Sequence, residues 1–172
     1  MDRHDSFRRF REDHAHVLDR LHDLERLLGS SQAAPIEPAQ EAAVRDLLAL
    51  LERQFATHMR AEEEVLFPVM SDALPGATAT LEPLEAEHAE LRQMLSDLCN
   101  RLTWPRSPAR DAQVRVELRD FLDLIRIHID KEEATVFVVA ARVLTSHELD
   151  SIATRLAVST GERENHTRRS LP

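Results

Sequence analysis

The chain has 172 residues, 42% of them hydrophobic and 31% charged, which predicts one folded domain and argues against a disordered chain. Its formal net charge of −9 disfavours binding to nucleic acid or to an anionic membrane surface. No apolar run has the roughly 18–20 residues that a membrane helix needs, and the lone Cys99 with a polar start at Met1 predicts a cytoplasmic protein. Nine histidines in a chain without tyrosine are the unusual feature, because histidine is the commonest metal ligand.

Few glycines, and prolines that gather between periodic segments, predict an all-α chain. The first helix is expected at about residues 6–28, where apolar residues recur at three- and four-residue steps and Gly29 follows the last of them. The second helix is expected to run to about residue 70, with Pro68 bending or fraying its end. Each helix has one apolar face and therefore needs a partner to bury it.

Two further long helices are predicted after these. The third is expected at about residues 81–102, with Pro83 tolerated because it would lie in the first turn. The fourth is expected to begin with Ser107 as N-cap and Pro108 at the first helical position, and to continue to about residue 142.

The remaining residues complete the expected architecture. Thr145 and Glu148 resemble a capping box that opens a short fifth helix. Residues 160–172 are polar and aperiodic and are predicted to be disordered, so the expected domain spans residues 1–159. Short loops between long amphipathic helices favour an antiparallel up-down-up-down four-helix bundle with a short extra C-terminal helix.

The second half of the chain repeats the first. A shift of 70 residues places His58, Glu62 and Glu63 on His128, Glu132 and Glu133. A shift of 74 residues places Asp13-His14-Ala15 on Glu87-His88-Ala89. Two similar helical hairpins related by an approximate twofold axis would place matching residues opposite each other across the bundle.

This spacing predicts a metal site inside the bundle. Positions i and i+4 share one face of a helix, so the histidine and the glutamate of each His-x-x-x-Glu pair project together. In antiparallel neighbouring helices, His14 lies at the same depth as Glu62, and His88 lies at a depth similar to that of Glu132. Four imidazoles and two carboxylates, without a thiolate, suit iron, manganese or zinc.

The ordered pattern resembles the hemerythrin-like (HHE cation-binding) family over about residues 6–142. It consists of His14, His58-x-x-x-Glu62, Leu66-Phe67-Pro68, His88 and His128-x-x-x-Glu132. The resemblance implies a bundle around a non-haem di-iron centre, with two iron ions joined by an oxo or hydroxo bridge and by the carboxylates of Glu62 and Glu132. The four histidines would be terminal ligands.

Two departures from the oxygen-carrying hemerythrins affect the expected function. Arg92 stands where those proteins have a further histidine, and the fourth helix carries His-x-x-x-Glu in place of His-x-x-x-x-Asp. Four histidines would leave exchangeable positions on both ions, which favours peroxide dismutation or sensing of O2 or NO over reversible O2 carriage. The implied small ligands are O2, NO or H2O2, with a stress-defence role.

Other functions and residue roles stay open at this point. An enzyme would be a di-iron catalase- or peroxidase-like oxidoreductase; the alternatives are a sensor or regulatory module, and an iron storage protein. Glu63 and Glu133 are expected to be solvated or to orient ligand imidazoles. Arg92 could point toward the metal or pair with a carboxylate, and pairing is favoured. The sequence leaves the oligomeric state open, and a monomer is one of the alternatives.

Overall fold

The computed structural model describes residues 7–29 and 34–156. These residues form α-helices joined by turns and two π-helical turns, and they contain no strand. The α-helices are α1 (Arg8–Leu28), α2 (Pro38–Ala61), α3 (Phe67–Ala73), α4 (Thr78–Arg101), α5 (Pro108–Lys131), α6 (Phe137–Val143) and α7 (146–156, its described part). The π-helical turns are Glu62–Leu66, between α2 and α3, and Glu132–Val136, between α5 and α6.

Local signals account for several helix ends. Ser107 Oγ accepts a hydrogen bond from the backbone N–H of Arg110 at 3.2 Å, and Pro108 occupies the first turn, so the predicted start of α5 is confirmed. Gly29 ends α1 with a φ of 63°, a conformation that favours glycine. The Thr145 N–H donates to the Glu148 carboxylate and the Glu148 N–H donates to Thr145 Oγ1, so both bonds of a capping box are present and the start of the short C-terminal helix is confirmed.

The long helices pack into a bundle, as predicted. Helix α1 packs against α2 and α5, and α4 packs against α5 and α2. Two apolar clusters fill the interior: one includes Leu51, Phe55 and Phe121, and the other includes Phe67 and Phe137, together with buried residues of α7. On α1 and α4 a buried histidine lies between residues of the two clusters, and on α2 and α5 it lies in the last turn, before the segment that enters the second cluster.

The predicted start of the third helix is wrong by one turn. Helix α4 begins at Thr78, so Pro83 lies inside the helix and not in its first turn. The additional turn is stabilised because it buries Ala77 and Leu81, and the Ala77 carbonyl accepts the N–H of Leu81 at 3.0 Å. These gains offset the single backbone hydrogen bond that Pro83 cannot make.

Pro68 does not end the second helical segment near residue 70 as expected. The segment passes through the π-helical turn and continues as α3 to Ala73. Proline cannot donate to the carbonyl of Glu64 four residues earlier, and this carbonyl accepts a hydrogen bond at 3.0 Å from Arg155 of α7. The Arg155 side chain therefore replaces the backbone N–H donor that the Glu64 carbonyl lacks because of Pro68.

Two expectations lie wholly or partly beyond the described residues. The tail at 160–172 falls outside them, and the 1–159 domain boundary is not tested. Within residues 7–29 and 34–156, none of the helices combines the length and the hydrophobicity of a membrane-spanning segment.

Candidate metal centre

The structure brings all six sequence-predicted ligand residues into one layer of the bundle. None of them is more than 1% exposed. They are His14 of α1, His58 of α2, His88 of α4, His128 of α5, and the first residues of the two π-helical turns, Glu62 and Glu132. Six polar side chains in an otherwise apolar interior would be costly to bury without strong partners.

The four imidazoles form two pairs. The Nε2 atoms of His14 and His58 lie 2.9 Å apart, and those of His88 and His128 also lie 2.9 Å apart. Each pair joins two helices that pack against each other, α1 with α2 in one pair and α4 with α5 in the other. The pairs are the two halves that the sequence repeat predicts.

The two glutamates lie between the halves, and each presents one oxygen to each half. Oε1 of Glu62 is 3.3 Å from His58 Nε2, and its Oε2 is 3.5 Å from His88 Nε2. Oε2 of Glu132 is 3.1 Å from His14 Nε2, and its Oε1 is 3.0 Å from His128 Nε2. Both carboxylates can therefore donate to two ions at once.

The π-helical turns begin at these glutamates and were not predicted. The N–H of Phe67 bonds to the carbonyl of Glu62, and the N–H of Phe137 bonds to that of Glu132, five residues back in each case. After the turns, Phe67 stacks on His88 with centroids 5.9 Å apart, and Phe137 stacks on His14 at 5.5 Å. The repeated Glu-Glu-x-x-x-Phe motif marks both of these segments in the sequence. Its residue types are equally compatible with an ordinary α-helix, so the motif alone does not predict a π-helical turn.

A second set of carboxylates lies at the Nδ1 atoms of the imidazoles. Glu133 Oε1 is 3.0 Å from His14 Nδ1, and Glu63 Oε1 is 2.8 Å from His88 Nδ1. Sequence reasoning singled out these two glutamates but missed the other two members of the set. These are Glu87, whose Oε2 is 3.0 Å from His128 Nδ1, and Asp13, whose Oδ2 is 3.7 Å from His58 Nδ1.

The missed carboxylates had a signal in the sequence. Asp13 and Glu87 occupy matching positions in the 74-residue repeat, immediately before a buried histidine. Each serves a histidine of the neighbouring helix and not the one beside it in sequence. A hydrogen bond at Nδ1 orients an imidazole and leaves Nε2 available to a metal ion.

Cations hold two of these outer carboxylates. Arg92 Nη2 donates to Glu63 Oε1, and Lys131 Nζ donates to Glu87 Oε1. Of the two sequence interpretations of Arg92, the structure shows the ion pair. Histidines 16 and 22 are exposed, as expected for residues off the buried face.

The two central glutamates differ in their electrostatics. Burial raises the pKa of Glu62, and the nearby Glu132 adds to this effect against the opposing attraction of His58. Burial also acts on Glu132, but the four surrounding imidazoles, His128 foremost, outweigh it and hold its pKa well below the usual range. At His58, burial is outweighed by the attraction of Glu62, supported by Asp13 and Glu132, and its pKa lies well above the usual range.

The donor atoms fit a metal pair. Both oxygens of Glu62, Oε1 of Glu132 and Nδ1 of His58 are buried without a hydrogen-bond partner. Two groups of four residues, each including both glutamates, have ligand atoms within 4.8 Å of one another. The groups are His14, His58, Glu62 and Glu132, and Glu62, His88, His128 and Glu132. Coordination would satisfy atoms that protein neighbours do not.

A helical bundle with a buried layer of histidines and shared carboxylates defines a metal-binding protein of the all-α class. The family described as the Hemerythrin HHE cation binding domain matches residues 5–140, and the chain belongs to this family. No curated protein matches the chain significantly.

Proposed function

We propose that this chain is a non-haem di-iron protein that binds or reacts with O2, NO or hydrogen peroxide and acts in oxidative or nitrosative stress defence. The observation that carries the proposal is the shared position of Glu62 and Glu132, each with one oxygen toward either pair of imidazoles. One cysteine suits a reducing compartment, and we place this function in the cytoplasm.

The ligands proposed for two ions are the six buried residues of the layer. His14 and His58 would hold one ion, His88 and His128 would hold the other, and the two glutamates would bridge them. Imidazole and carboxylate donors without thiolate suit iron in this architecture. Two iron ions with an oxo or hydroxo bridge would supply reversible redox chemistry and positions for a small ligand.

The residues around the layer exclude water and large substrates. Phe10, Phe55, Phe67 and Phe137 contact the ligand imidazoles with ring centroids between 5.5 and 6.3 Å apart. Apolar walls of this kind admit a diatomic gas at little cost, admit hydrogen peroxide where the centre supplies hydrogen-bond partners, and desolvate an ion unfavourably. A diatomic gas or hydrogen peroxide is the class of ligand that this interior suits.

The proposal includes an antiparallel up-down-up-down arrangement of α1, α2, α4 and α5. Contacts between consecutive helix ends support it: the side chain of Gln40, at the start of α2, donates to the carbonyl of Leu27, at the end of α1. Similarly, Arg110 at the start of α5 donates to the carbonyl of Leu102, directly after α4. Neighbouring helices that run in opposite directions bring the four histidines to one depth.

Metal analysis tests the cofactor. Protein produced with ample iron is expected to contain about two iron ions per chain and to show near-ultraviolet absorption from the oxo bridge. A single zinc ion per chain, or no metal, would overturn the assignment.

Stopped-flow spectroscopy of the reduced protein separates the functional classes. Oxygen evolution from H2O2 would support a catalase-like enzyme, and a reversible spectral change with O2 would support a carrier. A stable spectral change with NO without turnover would support a sensor. Storage of many iron ions per chain would contradict the proposal, and the ferritin-type spacing Glu-x-x-His occurs here only at Glu85–His88.

A further inference from the structure

The two halves of the centre differ in how their outer carboxylates are held. Beside His88 and His128, Glu63 is bonded to Arg92 and Glu87 is bonded to Lys131. Beside His14 and His58, no ion pair within the described ranges joins Asp13 or Glu133 to a lysine or arginine. The side chains of Glu63 and Glu87 are 27% and 18% exposed, whereas those of Asp13 and Glu133 are 39% and 40% exposed.

The sequence repeat identifies the residues that cause the difference between the two halves. The 74-residue shift that matches His14 with His88 also matches Leu18 with Arg92. The 70-residue shift that matches His58 with His128 matches Ala61 with Lys131. At both positions the first half therefore has an apolar residue where the second half has a cation.

The imidazole contacts follow the same division. The Nδ1 atoms of His88 and His128 lie 2.8 and 3.0 Å from their carboxylates. In the other half, His14 Nδ1 has a carboxylate at 3.0 Å, but His58 Nδ1 is 3.7 Å from Asp13 and is buried without a hydrogen bond. One imidazole of this half is thus less firmly oriented.

We propose that the centre binds its two metal ions unequally, and that the half built on His88 and His128 takes the first ion and holds it more tightly. Arg92 and Lys131 act as positioning residues, because they hold the carboxylates that orient these imidazoles before metal arrives. The half built on His14 and His58 loses more side-chain freedom on binding and is the labile position. This inference rests on the proposed function only in requiring two ions.

An opposing effect is the repulsion between these cations and an incoming metal ion. Arg92 and Lys131 have side chains that are 41% and 48% exposed, so water and salt screen their charge, and a carboxylate lies between each of them and the imidazole. The imidazoles that they help to orient are fully buried, where a well-directed hydrogen bond is worth more. Orientation therefore outweighs repulsion.

The test uses the full-length metal-free protein. Anaerobic titration with Fe²⁺ against a chromophoric chelator is expected to show two binding steps. Crystals grown with one equivalent of Co²⁺ identify the half that fills first by anomalous scattering. The signal is expected beside the Nε2 atoms of His88 and His128.

Matched variants exchange the positioning residues between the halves. Arg92→Leu with Lys131→Ala is expected to weaken the tighter step about 10-fold, the lower end of the effect of losing a partner that orients a ligand. Leu18→Arg with Ala61→Lys is expected to tighten the weaker step, and Arg92→Lys to retain most of the wild-type affinity. All four substituted side chains are exposed or half-buried, and melting of the metal-free variants checks that they fold.

The outcomes separate this inference from the proposed function. Two ions bound in one step with equal Co²⁺ occupancy would overturn the inference and leave the two-metal proposal intact. Tighter binding by the Arg92→Leu, Lys131→Ala variant would show that repulsion dominates and would also overturn it. If neither the wild type nor any variant binds a second ion, both the inference and the two-metal proposal are contradicted.

Discussion

Replacing Glu62 and Glu132 by glutamine, one at a time, tests the electrostatics of the centre. The two residues match in the sequence repeat and are both fully buried, but their surroundings differ. Both oxygens of Glu62 lack a hydrogen-bond partner, whereas Oε2 of Glu132 accepts a hydrogen bond from His14. Glutamine keeps the shape of each side chain and removes its charge, so the variants isolate this difference.

The expected changes in the metal-free protein have opposite signs. The raised pKa of Glu62 means that burial disfavours its ionised form more than His58 stabilises it, so Glu62→Gln, which removes the charge, is expected to raise the free energy of unfolding by about 1–3 kcal/mol. For a protein of this size the increase corresponds to roughly 2–12 °C in melting temperature. Glu132→Gln is expected to lower the free energy of unfolding by about 3 kcal/mol or more, because the surrounding imidazoles lose their counter-charge.

In the presence of iron, the stability of Glu62→Gln relative to wild type is expected to change sign. Metal that binds only the folded state stabilises it by about 4 kcal/mol when its free concentration is a thousand times Kd. Both glutamines remove a carboxylate that is proposed to bridge the two ions, so both variants are expected to lose iron and most of this stabilisation. Glu62→Gln would then be more stable than wild type with a chelator present and less stable with iron present.

Urea unfolding followed by circular dichroism, with chelator and with Fe²⁺, measures these changes, and elemental analysis measures iron. Glu64→Gln is the matched control, because this neighbouring glutamate is exposed and its replacement is expected to change stability by less than about 0.5 kcal/mol. Equal shifts of the same sign for Glu62→Gln and Glu132→Gln in the metal-free protein would refute the assigned asymmetry.

Three further outcomes are expected. His58→Ala should strip iron and lower the melting temperature of iron-loaded protein, while the exposed His16→Ala should change neither, as measured by elemental analysis and calorimetry. Arg155→Ala should lower stability by about 1 kcal/mol and speed amide exchange in α3, because the Glu64 carbonyl loses its donor; unchanged exchange would contradict this. The hydrogen bond from Arg110 lowers the pKa of Glu41 despite burial. The stabilisation from this pair is therefore present above the pKa of Glu41 in the unfolded state and is lost as pH falls from about 5 to 3. Glu41→Gln should reduce this loss of stability at acid pH, as measured by denaturation across pH.

Much of the fold and the site could be predicted because the signals are local. Apolar residues at helical spacing locate the long helices, and the i, i+4 relation places His58 beside Glu62 in any α-helix that contains them. The repeat then requires His128 and Glu132 to form an equivalent pair. Matching depths in antiparallel helices add His14 and His88 to the same layer, and the structure brings all six together.

Other features depend on how the helices pack and could not be read from local spacing. The outer carboxylates reach across to neighbouring helices, as Asp13 does to His58, and such contacts depend on the rotation of each helix about its axis. Pro83 is tolerated inside α4 because an added turn buries Leu81 in the cluster that includes Phe67 and Phe137. Packing gains of this kind outweigh helix propensity.

The sequence by itself determined the set of chemically important residues and the layer in which they meet, because periodicity and internal repetition survive without knowledge of packing. Only the tertiary structure decided that Glu62 and Glu132 each face both imidazole pairs, and that their pKa values shift in opposite directions. Residues that are equivalent in the repeat differ here because a pKa depends on distances of a few ångströms to groups on other helices, and packing alone sets those distances.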